Sequence, residues 1–361
     1  DLVAGSFGRG IFILDDISSL RTFNKNMMSA EATIFPVKNA HWYRQSSRVG
    51  SQGDAEWIAK NPPFGANFTY FMPNKIKSKK EVRRAKEKKG NAQFPGWDAL
   101  EEESREDGPS IMLIVKDKNG NVVNTIKGTN RKGFNRVNWR LNYPSKRGER
   151  LQSSTRRGFN RGGGIMVTPG TYSVTLEKRV NGVHTTLQEP VNFEVVPLFE
   201  GTLPRKSNEV INNFRDDVTA FQQDLTSANI SLSRSLKTTN AMLRALNKAS
   251  RPTNELFKKL NSTKILLLTI DKELNGDSVK DEIGERSNPS ASDGGSLGWT
   301  AFGNTYGPTD EHMRLLSRVK SQLKKVKNKL YPLVNSTLPS LRNELIKTGA
   351  PWIEGQGLIK D

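Results

Sequence analysis

The sequence predicts a multi-domain β-plus-α protein. An immunoglobulin- or fibronectin-III-like β-sandwich is followed by an antiparallel bundle of three to four helices, and an extra apolar hairpin stands in front. Three observations predict this. Short runs of β-branched and aromatic residues, separated by turn chemistry, recur between residues 61 and 200. From Ser207 onward apolar residues recur every three or four positions. The first residues hold two short apolar runs, Leu2–Phe7 and Ile11–Leu14, around Gly8-Arg9-Gly10.

Glycine beside a turn between apolar runs predicts a tight hairpin in which glycine supplies the positive φ. A lone hairpin is marginal in water, so this one is expected to add to a sheet outside the chain. The opening has neither an initiator Met nor a signal-peptide pattern, and a larger N-terminal domain is expected before it. Residues 22–60 read as a linker rich in aromatics (Phe35, His41, Trp42, Tyr43, Trp57).

Strands are expected at Ala66–Met72, Ile111–Lys116, Val122–Ile126, Arg136–Leu141, Thr171–Lys178 and Val191–Val196, with turns at Lys118-Asn119-Gly120 and Asn181-Gly182. Two insertions, 75–107 and 144–164, interrupt the sandwich as surface excursions. The first runs from strongly basic to acidic, and the second is basic and Gly-rich.

The helical part, 201–361, carries one stripe from Val210 through Leu246 and a second from Leu256 to Leu274, started by Pro252 and stopped by Asn275-Gly276. A third stripe, from Leu316 to Leu330, is expected to be kinked or split by Pro332 and Pro339. Residues 275–308 are polar and aperiodic and read as a long loop.

Composition excludes several chemistries. With no cysteine there is no disulfide framework, thiolate metal site or iron–sulfur cluster. The three histidines, His41, His184 and His312, lie far apart in sequence, so neither a metal nor any cofactor is expected. The longest apolar run, Ile265 to Ile270, is far shorter than the ~20 residues of a membrane span. No Gly-x-Ser-x-Gly elbow occurs. Gly5-Ser6-Phe7-Gly8-Arg9-Gly10 lacks the Gly-Lys-Ser/Thr and following helix of a phosphate loop and reads as a turn. Asp15-Asp16 reads as a cap on Ile17–Leu20 rather than an acid/base pair. No catalytic residue is assigned.

The chain carries 56 Lys and Arg against 37 Asp and Glu, a net charge of +19. The excess concentrates in Lys75–Lys89 and Arg131–Arg161, and charge at that density attracts polyanions. The candidate docking residues are Lys79, Lys80, Arg83, Arg84, Arg131, Lys132, Arg156, Arg157 and Arg161. The bland alternative is a solvated face balanced locally by Glu101–Asp107. The stretch Lys320–Lys329, basic outside its apolar stripe, is a second face able to rest on an anionic surface. Aromatics are sparse within these runs, which speaks against base stacking on nucleic acid.

The opening, Asp1-Leu-Val-Ala-Gly5-Ser-Phe-Gly-Arg-Gly10 with Ile13-Leu-Asp-Asp16-Ile-Ser-Ser-Leu-Arg21, resembles the closing blade of large secreted bacterial β-propeller proteins related to sortilin and often labelled BNR/Asp-box or YVTN-like. Ser6-Phe7 stands where that family usually has Thr-His. Gly133-Phe-Asn-Arg-Val-Asn-Trp139 and Pro169-Gly-Thr-Tyr172 are similar to an immunoglobulin-like module shared with the flagellar hook-capping protein, and Tyr306-Gly-Pro-Thr309 resembles the family's C-terminal bundle.

The resemblance implies that residues 1–21 are terminal propeller strands, and it implies an extracytoplasmic address: secreted, periplasmic or on the surface of a Gram-negative bacterium. The implied role is a non-catalytic protein-binding or assembly region within a cell-envelope (outer-membrane) complex. Its partners would be the N-terminal propeller part and other envelope proteins or an anionic surface. Competing expectations are an accessory region of a propeller hydrolase with its active site upstream, and polyanion or nucleic-acid binding through the basic insertions.

Overall fold

A computed structural model describes residues 1–45, 61–90, 93–146, 148, 149, 151, 164–285 and 288–358. The chain mixes strands and helices and divides into two compact units, Asp1–Ser145 with Arg157–Thr202, and Lys146–Arg156 with Leu203–Asp361.

The first unit opens with β1 (Leu2–Gly5) and β2 (Ile11–Leu14), an antiparallel ribbon pairing Leu2 with Leu14 and Gly5 with Ile11. Its turn departs from expectation. The left-handed residue is Arg9, at φ 62°, not a glycine. Ser6 closes the loop, donating its N–H to Gly10 O at 2.7 Å and accepting the Gly10 N–H on Oγ at 3.0 Å. A Cβ on Gly10 would lie 2.9 Å from that Oγ, so glycine is needed here for close approach.

Next come α1 (Ser18–Thr22), β3 (Thr33–Ile34), β4 (Ala40–Trp42), β5 (Ala66–Met72), α2 (Lys79–Glu87), α3 (Trp97–Ser104), β6 (Ser110–Asp117), β7 (Val122–Gly128), β8 (Gly133–Trp139), β9 (Gly170–Val180), β10 (Val183–Thr186) and β11 (Val191–Pro197). One sheet runs β4-β11-β9-β6-β7 with β10 paired to β9, and β4 lies parallel to β11. The other runs β3-β5-β8.

Alternation along these strands sends one set of side chains into a core that both sheets share. Phe68, Tyr70, Met72 and Trp139 meet Leu113, Val115, Tyr172, Leu176 and Phe193 there. Trp139 stands edge-on to Tyr172 at 5.6 Å, and Phe68 to Phe193 at 5.5 Å. Each such ring contributes roughly 1.5–3 kcal/mol by leaving water.

The stretch expected as linker is partly core. Ile34, Phe35, Ala40 and Trp42 are buried, and Trp42 Nε1 donates to Val167 O at 2.7 Å. Trp57 lies outside the described residues.

In the second unit α4 (Asn208–Leu246), α5 (Asn254–Asn275), α6 (Ser278–Glu282), α7 (Leu297–Thr300), α8 (Asp310–Pro332) and α9 (Leu338–Lys347) follow one another. Ser207 and Thr253 cap α4 and α5, satisfying N–H groups that have no intrahelical partner. The long helices bury the stripes their spacing predicts: Val218, Phe221, Leu225 and Leu232 on α4, Leu260, Leu267 and Leu274 on α5, and Val319, Leu323 and Val326 on α8. The three pack against one another.

One expectation fails here. The stretch 275–308 is not a bare loop: it forms α6, a 3₁₀ turn at Ala291–Ser296 and α7. Gly294 lets that turn seat on the helices, since a Cβ there would come within 2.5 Å of Phe221 and 2.7 Å of Val319. The last helical stretch is split at its prolines, as expected: α8 ends at Pro332 and α9 begins at Leu338. A π turn at Leu333–Thr337 carries the chain past Pro332, and Pro339 sits in the first turn of α9, where its missing donor is not required.

Candidate docking surfaces

The β1–β2 ribbon is paired with no further strand among the described residues. All eight of its strand residues are exposed. Leu2, Phe12 and Leu14 share one face and Val3, Ile11 and Ile13 the other, with exposures from 47% for Leu14 to 74% for Ile11. An apolar pattern on both faces belongs to a strand covered on both sides.

The base of the ribbon is fixed to the three-stranded sheet. Both Arg136 Nη atoms donate, to Asp15 O at 2.9 Å and Asp16 O at 2.8 Å. Asp16 Oδ1 meets Lys38 Nζ at 2.8 Å and accepts from Ser18 Oγ at 2.5 Å and Ser18 N–H at 3.2 Å. Burial raises the Asp16 pKa, but Lys38 and the Ser18 donors outweigh it and hold the carboxyl at about 2. Phe23 then packs on Phe71 at 4.8 Å and Phe134 at 5.3 Å. Asp15-Asp16 is therefore a joint, with the Asp16 side chain capping the turn that follows. Phe7, at the ribbon tip, is fully exposed.

The basic candidates separate into three groups. Lys79 and Arg83 are neutralised within the molecule. Lys79 Nζ meets Glu102 at 3.0 Å, and Arg83 clamps Glu103 through Nε and Nη2, both at 2.8 Å. The Arg83 guanidinium is pushed up, first by Glu103 and then by Glu87, and Glu103 is held below the usual carboxylate range by Arg83.

Neither α2 nor α3 has a buried residue, so opposite charge rather than an apolar core joins them. An open cleft of about 1070 Å³ runs beside α2 and α3 and reaches the β9–β10 turn. Both members of these ion pairs line it, so a small anion entering it would have to displace a carboxylate.

Lys80, Arg84, Arg131 and Lys132 form the second group, exposed and without an ion pair among the described residues. The structure brings Arg131 and Lys132 to the foot of α2. Asn130 Oδ1 accepts the Ile76 N–H at 2.9 Å and Asn130 Nδ2 donates to Ile76 O at 2.8 Å, so the side chain stands in for a strand partner. Sequence reasoning missed this join because an amide bonding backbone 54 residues away leaves no periodic mark. Arg156, Arg157 and Arg161, the third group, lie outside the described residues.

The basic side of α8 is only partly the free face expected: Lys324 and Lys325 are exposed without an ion pair among the described residues, but three other lysines are paired. Lys320 meets Asp217 at 2.6 Å, Lys327 meets Asp224 at 2.7 Å and Lys329 meets Glu273 at 2.6 Å. The first two pairs repeat seven residues apart on both helices, a ladder flanking the buried stripe.

Two of the three histidines hold structural places. His312 Nδ1 accepts the Thr309 N–H at 3.1 Å in a capping box, and His184 Nδ1 lies 3.1 Å from Glu177. Among the described residues no group of three His, Cys, Asp or Glu side chains is placed to hold a metal, and no helix is long and apolar enough to cross a membrane. No family model matches this chain, and no curated protein or solved structure matches it.

Proposed function

We propose that the chain is a non-catalytic assembly region of an extracytoplasmic, sortilin-like propeller protein. In this reading β1 and β2 complete a propeller blade, the two-sheet unit is an immunoglobulin-like sandwich and the helical unit an antiparallel bundle. The whole serves as a docking part of a cell-envelope complex.

One observation carries the reading: a two-stranded ribbon, apolar on both faces and exposed throughout, stands on a base bolted by Arg136 and Asp16. Exposed apolar surface of this kind marks an interaction site. The unpaired N–H and C=O groups along each edge are the template on which another strand adds. The fixed base lowers the entropy cost of docking, because the ribbon is already held for its neighbour.

A photo-activatable residue at Phe12 in the protein from its native source tests this. The expected adduct joins Phe12 to a strand segment of propeller-type sequence, and the same probe at Thr185 in β10 gives none. Adducts from both positions to the same peptides, or none from Phe12, would contradict the reading.

A further inference from the structure

A second surface is independent of the ribbon. The ion pairs that join α2 to α3 sit at the foot of the hairpin, where Lys79 meets Glu102 and Arg83 meets Glu103, while Lys79 N–H also donates to Glu106 at 2.7 Å; Arg83 meets Glu87 within α2 as well. This antiparallel arrangement gathers the acidic end of α3 at the start of α2. The opposite end is left with Lys86, Lys88 and Lys89, all exposed and without an ion pair among the described residues.

Two aromatic rings share that end. Phe94 is 60% exposed and Trp97 is 78% exposed, packed edge to face at 5.2 Å. Gly90 and Gly96, on either side of that end, are left-handed at φ 84° and 89°. An exposed Trp–Phe pair beside three unpaired lysines, which outnumber the exposed Asp98 at the same end, fits an interface with an apolar interior and an anionic surface. The indole and phenyl rings enter the acyl boundary, while the ammonium groups stay at the phosphates.

We propose that the tip of the α2–α3 hairpin is a peripheral anchor for a lipid surface bearing anionic headgroups, with Phe94 and Trp97 inserting and Lys86, Lys88 and Lys89 pairing with phosphate. Opposite charge between lysines and headgroups selects this occupant. The exposed aromatic pair selects a surface with an apolar layer beneath it over a wholly polar polyanion such as duplex nucleic acid. The surface is small, so binding is reversible and salt-dependent.

The test is sedimentation of the full chain with vesicles of phosphatidylcholine alone and of phosphatidylcholine mixed with phosphatidylserine. Binding is expected only to the mixed vesicles. Each lysine neutralised weakens it by about fivefold, so Lys88→Glu/Lys89→Glu weakens it by more than about 25-fold. Trp97→Ala also weakens it, and the bound protein shows a blue-shifted emission that Trp97→Phe removes. Lys324→Glu/Lys325→Glu, the same charge change on exposed positions of α8, leaves binding unchanged.

Far-ultraviolet circular dichroism checks that each variant keeps its fold. No binding to either vesicle, equal binding to both, or equal loss in the tip and α8 variants would overturn the proposal. So would tip-dependent binding to duplex DNA without binding to vesicles. Failure here leaves the ribbon reading standing, because the Phe12 adduct tests a different element.

Discussion

Two hairpins of the first unit share their exposure and differ in chemistry. β10, which pairs with the end of β9, is exposed at all four residues, as β1 and β2 are at all eight. In β10 those residues are Val183, His184, Thr185 and Thr186, mostly polar, with His184 bonded to Glu177. Its turn, Asn181-Gly182, places both residues left-handed at φ 49° and 77°, the geometry a two-residue hairpin favours. It also grows from a long strand whose other half is core.

The β1–β2 ribbon has the reverse features: Leu, Val, Ile and Phe in water, and an arginine in the left-handed position. The same local motif thus finishes an edge in one place and leaves an unfinished one in the other. The side chains, not the backbone, tell them apart.

The comparison can be broken at several points. The largest effect is expected from the body of the unit. Phe68→Ala, fully buried between the sheets, costs about 3–5 kcal/mol, whereas deleting residues 1–14 shifts stability by less than about 1 kcal/mol, since the ribbon buries nothing of that core. Denaturant unfolding reads both, and a large loss on deletion would mean the ribbon belongs to the body.

Gly182→Ala, at φ 77°, destabilises β9–β10 by about 1 kcal/mol, measurable as faster amide exchange in β10. Arg9→Gly instead relieves its turn by up to about 1 kcal/mol without touching the core. Phe12→Lys/Ile13→Lys changes stability by less than about 0.5 kcal/mol but lowers co-sedimentation with the rest of the proposed assembly.

The effect at the joint is read by pH. The Asp16 carboxyl is lowered from 3.8 to about 2 by folding, so its stabilisation is complete above pH 4 and disappears as pH falls through that window. A carboxyl titration by NMR should place its midpoint near 2, and Lys38→Ala should raise it, with the Ser18 donors still holding it down.

How much of this was legible in the sequence depended on length and period. The strands Ala66–Met72 and Val191–Pro197 and the long helices follow their sequence signals because each repeats its pattern several times. β3 and β4, two and three residues long, cannot establish a period, and Pro36 between them reads as a loop. The turns within 275–308 escaped notice because Gly294 fits by being small rather than by being apolar.

At the candidate surfaces, the charge balance between Lys79–Lys89 and Glu101–Asp107 was visible as opposite runs. Its division into a paired foot and an unpaired tip was not, since that depends on the antiparallel packing of α2 and α3. Lys320, Lys327 and Lys329 of α8 looked free because their partners, Asp217, Asp224 and Glu273, lie on other helices.

Amide hydrogen exchange across Leu2–Leu14 tests the central claim most directly, compared between the isolated chain and the protein held in its native assembly. Fast exchange in isolation and strong protection in the assembly, with β10 alike in both, is the predicted result. Equal exchange of the ribbon in the two states would contradict it.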